Sequence, residues 1–66
     1  MMLIEIGALV IIKVNFQLSK TMRIKEGDYG IIIGYPEEES ASIFDYLVVC
    51  NGINIFLFKS EIELVN

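Results

Sequence analysis

The chain has 66 residues, 55% of them hydrophobic, with a single Cys, no His and a net charge of −4. That length allows one domain with one small core, which buries only roughly 60% of the surface its unfolded chain exposes. A lone Cys50 excludes an internal disulfide, the lack of His argues against a metal centre, and the acidic balance argues against general attraction to polyanions.

The chain starts apolar, from Met1 to Val14, but Glu5 and Lys13 interrupt the run. It falls short of the ~20 residues that a membrane-spanning helix needs. It also lacks the basic start and small-residue cleavage site of a signal peptide. The expected location is cytoplasmic, with Cys50 a reduced and buried small hydrophobe.

Alternation sets in next. Val10, Ile12, Val14, Phe16 and Leu18 share one parity, and the other parity becomes Lys13, Asn15, Gln17 and Ser19. Leu9 and Ile11 keep that second face apolar at its start. Met22 and Ile24 continue the apolar parity beyond Ser19-Lys20-Thr21, with Arg23 and Lys25 opposite. Residues 8–25 therefore read as a strand followed by a bent, protruding arm.

Glu26-Gly27-Asp28 is a tight turn, because Gly and Asp tolerate the backbone angles it requires. A second strand, Tyr29 to Tyr35, carries Gly30 and Gly34 as marks of strong coiling, and Pro36 ends it. Residues 37–42, Glu-Glu-Glu-Ser-Ala-Ser, form an acidic exposed loop that lacks the spaced oxygen ligands of a cation site. Asn51-Gly52 then separates two runs rich in β-branched and aromatic residues, the strongest short-range hairpin signal. Phe44, Tyr46, Val48 and Cys50 lie on one face of this hairpin and Leu47 and Val49 on the other. Across the turn, Ile53, Ile55 and Leu57 oppose Phe56 and Phe58. Lys59-Ser60-Glu61 reads as a short turn, with one turn of 3₁₀ helix as the alternative, before a last strand, Ile62 to Val65. The expected fold is all-β: a single domain over residues 1–66, built as a small five-stranded SH3-like barrel with a long arm between strands 1 and 2.

Two segments resemble the Sm-like proteins, whose subunits form rings by pairing edge strands. Gly30-Ile-Ile-Ile-Gly34-Tyr35 is similar to the Gly-x-x-x-Gly-aromatic part of that family's first motif. Val48-Val-Cys-Asn51-Gly52-Ile-Asn54-Ile55 is similar to its second, with Asn51 where the family carries a basic residue before Gly. The resemblance implies a ring-forming homo-oligomer that binds RNA or single-stranded nucleic acid, with Tyr35 as a stacking face near Asn51 and Gly52. Small barrels of this look also resemble proteins of tailed phages.

Residues 13–25 hold Lys13, Lys20, Arg23 and Lys25 without an acid, whereas the remainder from residue 26 holds eight acids against Lys59. This basic strip is the candidate phosphate-tracking surface, joined by Tyr35, Asn51 and Gly52. The bland reading is a solvated outer face of the arm. Catalysis is not expected, since Cys50 has no base in view and no carboxylates pair in a motif. No cofactor is expected either. The second class of function is a structural or adaptor protein that contacts copies of itself or another protein through Leu9, Ile11, Leu47, Val49, Phe56 and Phe58, the residues that make both sheet faces apolar.

Overall fold

The computed structural model describes residues 3–36 and 43–65, so the acidic loop expected at 37–42 lies outside the described residues. The strands are β1 (Leu9–Ile12), β2 (Phe16–Gln17), β3 (Arg23–Ile24), β4 (Tyr29–Gly34), β5 (Tyr46–Cys50), β6 (Ile53–Leu57) and β7 (Ile62–Leu64). A 3₁₀ turn over Lys59–Glu61 precedes β7. Five strands make one antiparallel sheet in the order β6-β5-β4-β1-β7, and β2 pairs with β3 as a separate two-stranded arm. The order leaves β6 and β7 as its two ends, so the sheet is not closed by backbone pairing among the described residues. The structure thus establishes a mostly-β chain around a five-stranded antiparallel sheet.

One face of this sheet is the core. Val10, Ile12, Ile32, Tyr46, Val48, Cys50, Leu57 and Ile62 are buried on it, together with Ile24 from the arm. Among the described residues no α-helix covers that face, and the two-stranded arm folds over it instead, with Val14 and Phe16 packed against the cluster beside Ile24. The alternation that marked residues 10–18 as one continuous apolar stripe weakens beyond Phe16. Leu18 and Met22 lie at the arm's tip and are exposed, because the tip is a turn held by Ser19: its hydroxyl accepts the Met22 N–H at 3.0 Å.

The Asn51-Gly52 turn forms as expected, with φ of 53° and 76°, the two positive values that a type I′ hairpin requires. Its register runs from Cys50↔Ile53 to Tyr46↔Leu57. At the far end one expectation fails. Phe44 does not join the face of Tyr46 and Val48, because β5 begins only at Tyr46 and the alternation has no hold before it. Its ring packs instead against Phe58 at 4.8 Å and Phe56 at 5.9 Å. Asp45 uses its carboxylate to accept the Lys59 N–H at 2.6 Å, and Glu61 accepts the Phe58 N–H at 2.8 Å, which fixes the 3₁₀ turn to the start of β5.

Gly30 is needed for close approach. A Cβ there would sit 2.6 Å from Val48 Cγ1 and 3.2 Å from the Val49 carbonyl oxygen, on a β-branched side chain with little freedom to rotate away. Gly30→Ala is expected to lower stability by about 1–3 kcal/mol, the usual cost of overpacking a core. Urea unfolding would read this as a lower midpoint at unchanged slope; an unchanged midpoint would show that Val48 yields.

Candidate interaction surface

The second face of the sheet is built by the partners of the buried residues. Strand register sets Leu9 beside Ile31 and Ile31 beside Val49, Ile11 beside Tyr29, and Leu47 beside Phe56. Ile33, next to the register irregularity between Ile32 and Gly34, adds to the same side. Among the described strand residues, and apart from the Tyr29 hydroxyl, only Asn54, opposite Val49, and Glu63, opposite Ile11, are polar on this face, and both lie on the outermost strands. Tyr29 is 58% exposed, Ile31 43% and Phe56 40%. The face is therefore a continuous apolar surface across four strands.

The six residues expected as an interface divide by depth. Leu9, Phe56 and Phe58 are exposed, while Ile11, Leu47 and Val49 are partly buried among them. Phe58 stands beside the face, at the start of the 3₁₀ turn. Tyr29, Ile31 and Ile33 were missing from the expected set, although they are the centre of the patch. The signal was present in the uninterrupted apolar run of β4. A run apolar at every position does not say which parity faces out, and only pairing with Leu9 and Val49 decides it.

The residues expected to form a nucleotide site are not brought together. Tyr35 follows the C-terminal end of β4, whereas the Ile31↔Val49 register puts Asn51 level with Tyr29 at the other end, next to Asp28. The six residues of β4 between them correspond to about 20 Å. Both side chains are also engaged in holding the fold. The Tyr35 hydroxyl donates to the Ile4 carbonyl at 2.7 Å, and its ring lies 5.9 Å from that of Tyr46, whose hydroxyl accepts the Ile4 N–H at 3.1 Å. Asn51 Nδ2 donates to Asp28 Oδ2 at 3.0 Å, and the same oxygen accepts the Lys25 N–H at 2.9 Å. One carboxylate thereby joins the turn before β4 to the hairpin loop after β5.

The four cations lie on or near the arm, all exposed. Lys13 follows β1, Lys20 is at the arm's tip, Arg23 lies in β3 across from Gln17, and Lys25 comes one residue after β3. Arg23 and Lys25 line a shallow cleft with Asn15, Phe16, Gln17 and Ile24. Among the described residues no group of three His, Cys, Asp or Glu side chains is placed to hold a metal ion. None of the described helical segments is long and apolar enough to cross a membrane. Comparison with known protein families, with curated proteins and with solved structures found no match.

Cys50 is buried in β5, and burial, assisted by the negative charge of Asp28, pushes its thiol above the ordinary range. The native thiol therefore stays protonated at pH values where the unfolded one ionises. The unfolded state then binds fewer protons, so stability is intact below the ordinary thiol pKa and falls as pH rises past it. Native protein at pH 8 is expected to resist a thiol reagent that reacts at once in urea. The alkaline loss of stability should shrink in Cys50→Ala; rapid native labelling would show the strand opening far more readily than its burial implies.

Proposed function

We propose that this chain is a self-associating, non-catalytic structural or adaptor module, built as a small SH3-like barrel of the Sm-like type and working in the cytoplasm. The apolar second face of the sheet carries the reading, since contiguous apolar surface of this extent on a small protein marks a contact site. The strand order supports the barrel. A four-stranded meander of β1, β4, β5 and β6 with an arm between its first two strands, a two-residue hairpin, and a single 3₁₀ turn before a last strand that crosses over to pair with β1 are the parts expected of it.

The open ends of the sheet supply a route to a ring. The two-residue turn makes Cys50 and Ile53 a hydrogen-bonded pair, so along β6 the N–H groups of Asn54 and Phe56 point away from β5. Pairing that edge with β7 of the next copy is a head-to-tail contact, which closes into a ring when its rotation permits. Native mass spectrometry is expected to give a multiple of the monomer mass. Asn54→Pro, which removes an outward N–H without breaking a bond to β5, should reduce that mass while leaving the strand signal in circular dichroism intact. A monomeric wild-type chain would overturn self-association, and an undiminished assembly in Asn54→Pro would overturn the edge contact.

The basic arm favours a second reading, binding of RNA or other single-stranded nucleic acid. Its support is the cleft that Arg23 and Lys25 line together with Asn15 and Gln17, in a segment without acids. Four phosphate contacts per subunit would make log K fall with log salt at a slope of about −3. Fluorescence titration with a labelled oligonucleotide should then show binding at low salt that is lost in the double variant Lys20→Ala, Arg23→Ala. No binding at low salt would remove this reading.

A further inference from the structure

We infer that the apolar sheet face is covered by the same face of a second copy, across a two-fold axis passing close to Ile31 and Val49. This rests on the self-association proposed above and names the surface and the partner.

The size of the face suits such a contact. Its exposed apolar area, from Leu9 and Tyr29 through Ile31 to Phe56, is on the order of 600 Å². That is at the top of the range for a patch left open on a monomer, and near the ~800 Å² that each partner gives to a stable interface.

Charge selects the occupant. A face that packs on itself across a two-fold axis sets its own central residues against one another, so any charge there would repel itself. This face has none at its centre: Ile31 lies between Leu9 and Val49, and the single acid, Glu63, is out on β7. A partner selected by opposite charge would find only Glu63, at the margin of this surface, to pair with. Four of the five cations of the chain are gathered in and beside the arm, at Lys13, Lys20, Arg23 and Lys25, and the fifth, Lys59, lies in the 3₁₀ turn. Two such sheets would stack about 10 Å apart with their side chains interleaved, the spacing of ordinary face-to-face sheets. The edges of β6 and β7 stay free in this arrangement, so it is compatible with a ring and separable from one.

A charge-swap experiment tests the inference. Ile31→Asp and Ile31→Lys each set two like charges together at the axis, at a position exposed enough for the fold to carry them; circular dichroism verifies that it does. Each variant alone is expected to lose the two-fold contact and halve the assembly mass, and an equimolar mixture of the two is expected to restore it as a mixed species in native mass spectrometry. Undiminished assemblies in both single variants would overturn the face-to-face contact while leaving self-association standing. Single variants that dissociate but fail to recombine would overturn the two-fold arrangement. A wild-type chain that is monomeric would overturn both proposals.

Discussion

A five-stranded sheet with no α-helix among the described residues to cover it has to hide an apolar face under a two-stranded arm, and the architecture follows from that constraint. The buried hydrophobic set is small, nine of the described residues, and it is completed by Ile24 reaching over from the arm. The arm is thus part of the core at its base and free only at its tip. Close approach within the sheet serves the same end: Gly30 is side-chain-free where Val48 and the Val49 carbonyl come nearest.

Polar side chains are used economically to hold the ends of this sheet in register. Asp28 binds the Lys25 backbone and the Asn51 side chain, tying the turn before β4 to the hairpin loop. Asp45 and Glu61 fix the 3₁₀ turn, and Tyr35 and Tyr46 hold Ile4 from both its carbonyl and its N–H. These ties account for several residues whose types suggested ligand chemistry. Tyr35 and Asn51 are each bound to the protein itself, at opposite ends of one strand. What is left without a structural assignment is the apolar outer face and the basic arm, and these two surfaces carry the functional proposals.

Much of the fold was legible because its signals are local. Asn51-Gly52 determined a turn through the backbone angles those two residues accept, and Pro36, Gly27 and Lys59-Ser60-Glu61 punctuated the chain where strands end. The alternation of Val10 and Ile12 with Leu9 and Ile11 marked two faces correctly. Legibility ended where a residue's neighbours come from another strand. Phe44 obeyed the hairpin's parity on paper but lies before the strand begins, so it turned to Phe56 and Phe58 instead. The centre of the outer face, Tyr29, Ile31 and Ile33, was hidden in a run that is apolar at every position except glycine.

The sequence by itself determined that this is a small β protein, that a tight hairpin organises its second half, and that it carries more apolar surface than one core of this size encloses. Those are properties of composition, period and turn chemistry, each decided within a few residues. Tertiary structure alone decided where the surplus lies. Register across β1, β4 and β5 gathers residues 40 positions apart in the chain into one surface, from Leu9 to Val49. It also sends Tyr35 and Asn51 to opposite ends of β4. Period 2 tells which residues share a face, but only pairing between strands tells which of those faces meet.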